Sequence, residues 1–123
     1  MSSHKLSFGT INILKNNLAE VIVDEGIVMD EVMIDEYHDF LLNTLDVPFA
    51  LLVNKKNSYT YTFTAQKNIV HLNEIKAIAV ITKTSGAVMS TETLINVNGN
   101  INSNIKLFQE RQSGLTWLNN QLS

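Results

Sequence analysis

The sequence predicts an α/β fold: a mixed, mostly parallel sheet with an antiparallel hairpin at its N-terminal edge. Three observations support this. Phe49–Val53 and Ile75–Ile81 are almost continuously apolar, as expected of strands covered on both faces. The segments between and after them carry apolar residues every three or four positions, the period of a helix. Ahead of both, two stretches of strand composition flank a short Asn-rich turn, the pattern of a hairpin. Strands separated by helices pair in parallel through right-handed crossovers.

Taken in order, Leu6–Leu14 is the first expected strand, although its alternation is imperfect. Lys15-Asn16-Asn17 ends it, since Asn tolerates the positive φ that tight hairpins use. Leu18–Asp24 is the partner strand, and Gly26 punctuates its end. Asp30 is a good N-cap for a first helix, with Glu31, Asp35 and Glu36 near the positive end of its dipole. The apolar stripe Met33/Ile34, Tyr37, Phe40/Leu41, Leu45 follows that helix until Pro48 stops it.

Phe49–Val53 is then a buried strand, and the polar stretch Asn54–Thr60 leaves its C-terminal end. A second helix is expected from Thr64 to Leu72, burying Ala65, Ile69 and Leu72. Ile75–Ile81 is the central strand. Ser85-Gly86 turns into a third helix, Ala87 to Ile95, and Asn96–Asn104 is a polar loop. Ile105–Phe108 is the last strand, and Glu110–Leu122 a terminal helix with Leu115, Leu118 and Leu122 on one face and Trp117 beside it. The expected order is β-β-α-β-α-β-α-β-α, in a single domain spanning residues 1–123.

Composition narrows the function classes. With 123 residues, 45% hydrophobic and 17% charged, the chain can bury a core. No apolar run approaches the ~18 residues of a membrane helix. Met1–Lys5 leads into the first strand with no signal-peptide h-region, so a cytoplasmic protein is expected. The absence of cysteine removes disulfides, thiolate metal sites and a Cys nucleophile. A net charge of −3 argues against nucleic acid as a partner, because phosphates would go unneutralised. Nine of the twelve acids fall between Glu20 and Asp46, a stretch without Lys or Arg, while the remainder of the chain from Val47 is basic. An acidic, solvated first helix is the expected result. About one residue in eight is Asn, and Arg111 is the only arginine; both read as compositional bias.

Val47–Asn54, a polar loop, a helix and Ile75–Ile81, followed by Ile105–Phe108, Glu110 and Leu115-Thr-Trp-Leu118, resemble the SpoIIAA-like (STAS) superfamily from about Gly9 onward. That superfamily is related in fold to CRAL-TRIO lipid-transfer domains. The resemblance implies the same fold and a bacterial, stand-alone member. The best-known function there is antagonism of an anti-sigma factor, switched by phosphorylation of a Ser in an Asp-Ser-x-Gly motif. The matching stretch here, Asn54 to Ala65, has neither an Asp-Ser pair nor a Gly. Its hydroxyls are Ser58, Thr60, Thr62 and Thr64, a candidate phosphoacceptor or anion loop together with Lys55 and Lys56. A phosphate at a helix N-terminus would meet free N–H groups and a favourable dipole.

Catalytic and metal chemistry have little to stand on. His38 lies beside Asp35 and Asp39 on the first helix and reads as a surface histidine; a metal would need further converging ligands. His71 is expected on the second helix, away from any acid partner, and His4 in a frayed terminus. No Ser-His-Asp arrangement or Gly-x-Ser-x-Gly is present, and Gly9, Gly26, Gly86, Gly99 and Gly114 are isolated, so no phosphate loop forms. Thr82–Gly86 follows a strand and opens a helix, as either an anion cradle or a capping turn. Tyr59 and Tyr61 read as a half-buried extension of the strand ahead of them. Val88, Met89, Leu94 and Ile95 give the third helix apolar surface, a candidate site for a ligand or partner.

The resulting expectation is a non-enzymatic domain acting through contact with an unidentified protein, in regulation, with a second copy of the chain as another candidate partner. No cofactor, metal or catalytic residue is expected. The rival reading is a module binding a small apolar ligand or lipid.

Overall fold

In a computed structural model, described here for residues 2–69, 71–84 and 104–123, six strands form one sheet in the order β1-β2-β3-β5-β7-β8. They are β1 (Ser2–Leu6), β2 (Gly9–Lys15), β3 (Leu18–Val23), β5 (Phe49–Asn54), β7 (Ile75–Ile81) and β8 (Asn104–Phe108). A second, two-stranded ladder pairs β4 (Val28–Met29) with β6 (Thr60–Tyr61). The helices are α1 (Glu31–Thr44), α2 (Phe63–Asn68) and α3 (Arg111–Leu122). β1, β2 and β3 run antiparallel, while β3, β5, β7 and β8 are parallel. The expected mixed sheet with its antiparallel N-terminal edge is therefore present, with β5 and β7 adjacent at its centre.

Side-chain alternation sends the two strand faces to two separate cores. On one, Ile11, Val21, Phe49, Leu51, Ile78 and Val80 pack against Ile34, Tyr37 and Leu41 of α1 and Ala65 of α2. On the other, Leu18, Ala50, Leu52, Ala77, Ala79 and Ile81 pack against Leu118 of α3, with Leu115, Trp117 and Leu122 at its margin. Alanines dominate the second face because α3 lies very close to the sheet. A Cβ on Gly114 would come within 2.7 Å of Ile81 Cδ1 and 3.1 Å of Leu52 Cδ1.

Several expectations are corrected. The imperfect alternation of Leu6–Leu14 has a cause: the stretch is two strands, broken by a turn at Ser7-Phe8. Phe8 tucks fully into the core, edge-on to Tyr37 with ring centroids 5.9 Å apart. Gly9 follows because a Cβ there would sit 2.1 Å from the Ile22 carbonyl oxygen. His4 is accordingly not frayed; it lies on β1, its ring 5.1 Å from that of Phe40. Asn16-Asn17 does turn the chain, but without positive φ. A register shift between Ile13 and Lys15 absorbs the geometry instead, and the Asn16 and Asn17 carbonyls accept from Asp46 and Ala50.

The first helix starts as expected, with Asp30 Oδ1 accepting from the Met33 amide at 2.9 Å. The second is shorter than expected, because Thr62 caps it two residues early and it closes at Asn68 with Ala65 as its one fully buried side chain. Leu72 and His71 therefore lie beyond it, in the turn leading to β7. Tyr61 does lie on a strand, but one that pairs with β4 and does not extend β5. The expected third helix, Ala87 to Ile95, and the loop after it fall outside the described residues.

Candidate functional site

The C-terminal ends of the parallel strands are where open α/β sheets bind ligands, and here that end carries a cluster of tyrosines around one lysine. β5 leaves the sheet through Asn54 and Lys55, whose amide is held by the Ile81 carbonyl at 3.0 Å. Continued alternation from Phe49, Leu51 and Val53 points Lys55 to the α1 side of the sheet. The chain then returns as β6, fixed by Thr60 N–H donating to Ile27 O at 3.0 Å and Thr62 N–H to Met29 O at 2.9 Å. That return sets Tyr59 and Tyr61 edge-to-face, centroids 5.6 Å apart, with the Tyr61 hydroxyl donating to that of Tyr59 at 3.4 Å.

The Lys55 ammonium lies 5.0 Å from the centroid of the Tyr59 ring and 5.7 Å from that of Tyr61. Among the described residues it has no ion pair. Burial pushes its pKa down to about 8. Burial likewise raises the phenols of Tyr37, Tyr59 and Tyr61, so none of the three supplies a negative charge at neutral pH.

The loop hydroxyls are dispersed around this cluster. Ser58 is exposed; its amide donates to Glu25 Oε1 at 3.1 Å and its carbonyl accepts from Gly26 at 2.8 Å. Thr60 is an exposed residue of the β4–β6 ladder. Thr62 Oγ1 is occupied as the α2 cap, accepting from Ala65 at 3.2 Å. Thr64 is exposed within α2, and Lys56 is exposed beside Lys55. Lys55 and Lys56 thus diverge, one against aromatic rings and one into water. Val88, Met89, Leu94 and Ile95 lie outside the described residues.

The same end exposes apolar side chains that periodicity had not flagged. Val28 of β4 is 54% exposed, Val32 in the first turn of α1 76%, and Phe63 at the start of α2 67%. All three are carried by the β4–β6 ladder or by the helix starts that leave it. Lys67 extends over the Phe63 ring, 4.4 Å from its centroid.

A cleft of about 260 Å³ between α1 and the segment after α2 is lined by Glu31, Ile34, Asp35, His38, Asn68 and His71. It brings His71 close to acids that the sequence reading placed apart from it. His38 is part-buried, with Nε2 3.0 Å from the Ile69 carbonyl. Among the described residues, no three His, Asp or Glu side chains come close enough together to hold a metal ion.

On the opposite face, Arg111 is anything but compositional bias. Its guanidinium donates twice to Glu20, which is 5% exposed, and Asn54 Nδ2 donates to the same carboxylate at 3.0 Å. Burial alone would raise the pKa of Glu20; hydrogen bonds from Arg111, Asn54 and Asn12, with the guanidinium charge, outweigh it and hold the group below its ordinary value. The available signal was Glu20 standing between Leu18 and Ile22 on the inward parity of a strand.

No protein-family model matches the chain, and no curated protein matches it. A solved structure does: that of an uncharacterised DUF3478-family protein with a SpoIIAA-like fold from Shewanella loihica PV-4. It is 15% identical in sequence, with a TM-score of 0.60 over 96% of this chain and 98% of that one. No helix among the described residues is long and apolar enough to cross a membrane. The strand order, the two-faced core and this structural match together show that the chain has a SpoIIAA-like fold.

Proposed function

We propose that the chain is a non-enzymatic, cytoplasmic SpoIIAA-like module that acts by binding another protein through the end of the sheet carrying the β4–β6 ladder. The observation that carries this reading is the exposure of Val28, Val32 and Phe63 at that one end. Exposed apolar side chains clustered on a small domain are costly in water and favour a partner surface. Regulation fits the same place, because Ser58, Thr60 and Thr64 are exposed residues next to it. A phosphate at Ser58 would face Glu25 as well as Lys56, and so would change the charge that a partner meets.

The test compares the parent with Val32→Ser/Phe63→Ser, a pair of exposed positions whose replacement leaves both cores intact. Cross-linked capture from the native host, quantified by mass spectrometry, is expected to recover a protein with the parent and lose it with the variant. Equal recovery with both rules out this surface. A self-associating parent, seen by analytical ultracentrifugation and lost in the variant, would identify the partner as a second copy.

A further inference from the structure

We propose that Lys55 is a carbonyl-reactive amine, a site at which a small aliphatic aldehyde is captured as an imine. The position is built for an uncharged nitrogen. Lys55 is half-buried, so water reaches it poorly, yet a small reagent has access. Its neighbours from the surrounding elements are Tyr59 in the loop and Tyr61 on β6, with Tyr37 of α1 electrostatically coupled to both. All three are kept protonated by burial. Lys56 is the nearest charge in sequence, and it has the same sign. The one acid on this loop's partners, Glu25, is engaged with the Ser58 amide.

A half-buried ammonium without a counter-ion is destabilised by lost hydration. The aromatic faces return part of that, since they attract a cation, but burial prevails and lowers the pKa to about 8. At pH 7.5 the uncharged fraction then exceeds that of an ordinary lysine about a hundredfold. An apolar, aromatic surround also favours an uncharged carbonyl compound over an acid. In the reaction the Nζ lone pair attacks the carbonyl carbon and the C=O π electrons move to oxygen. Proton transfer gives a carbinolamine, and loss of water leaves the imine. No oxidant or further reactant enters.

The chain offers its own controls, because it contains eight lysines. Intact protein is incubated with propanal and sodium cyanoborohydride, whose hydride reduces the imine to a stable secondary amine, and each lysine is quantified by peptide mass spectrometry over time. Lys55 is expected to be propylated about tenfold or more faster than Lys56 at pH 7.5, with its rate levelling above pH 8. In the urea-unfolded chain the two rates should converge. A Lys55 rate equal to or below that of Lys56 in the folded protein overturns the proposal. So does a Lys55 preference that survives in urea, which would make the reactivity a property of the local sequence.

Discussion

Arg111 and Glu20, ninety-one positions apart, meet in a two-point ion pair: Nε donates to Oε2 at 3.1 Å and Nη2 to Oε1 at 2.9 Å. The pair ties the first residue of α3 to the middle of β3. With Asn54 on the same carboxylate, it sets where the terminal helix begins across the sheet. The carboxylate is buried and the guanidinium half-exposed, its side chain 45% accessible. The two partners are therefore not equivalent, and loss of the arginine is the more harmful change.

Replacing Arg111 with Met leaves a buried carboxylate short of two donors, and is expected to cost about 1–3 kcal/mol in urea unfolding at pH 7. Glu20→Gln should cost less, because it removes the charge and the Arg111 guanidinium can turn to water. The pH dependence has a definite sign. Glu20 has a folded-state pKa below its ordinary 4.5, so its contribution is complete above that value and is lost as pH falls through the folded one. Glu20→Gln should therefore show a shallower loss of stability below pH 4.5 than the parent. Parallel acid profiles for the two proteins would contradict this assignment.

Two glycines should respond differently to alanine. At Gly9 the new Cβ meets backbone, the Ile22 oxygen at 2.1 Å and the Val23 Cα at 2.9 Å, and neither can move without separating β2 from β3. A loss of about 3 kcal/mol, at the upper end of overpacking costs, is expected. At Gly114 the closest atom is the end of the Ile81 side chain, which can rotate, and alanine gains about 1 kcal/mol of helix propensity. Chemical denaturation of both variants checks the order: Gly9→Ala much the weaker protein, Gly114→Ala near the parent.

Ile78 is 3% exposed, pairs with Leu51 and Ile105 across β5 and β8, and faces α1. Its burial contributes about 1.5–3 kcal/mol, and an aspartate there adds the cost of an unpaired buried charge. Ile78→Asp is expected to abolish cooperative unfolding of a domain of ordinary stability. A sigmoidal melt near the parent midpoint would contradict the central placement of β7.

Truncation before Glu110 removes α3 and uncovers Leu18, Ala50, Leu52, Ala77, Ala79 and Ile81 together. A sheet face of that composition should self-associate. Light scattering is expected to show aggregation at concentrations where the parent is monodisperse; a soluble truncation with native near-UV dichroism would show that α3 is dispensable.

The sequence by itself determined the layout: the apolar runs that became β5 and β7, the Asp30 cap, the stripe on α1 and the leucines of α3. Each is a local pattern whose period shows which face is buried, and burial of apolar area decides the outcome. It missed β1, β4 and β6, which are short and polar and are strands only through hydrogen bonds to partners elsewhere in the chain. It placed His71 on a helix, because apolar spacing continues past Asn68 where the backbone does not.

The candidate site was legible only in part. Lys55 and Lys56 are equivalent as neighbouring letters, and which of them enters the tyrosine cluster depends on the return of β6 along β4. Arg111 had no visible partner until α3 crossed β3, and the need for glycine at 114 depends on how closely that helix approaches Ala79 and Ile81. Contacts between residues far apart in the chain leave no periodic trace, so only the tertiary structure decided them.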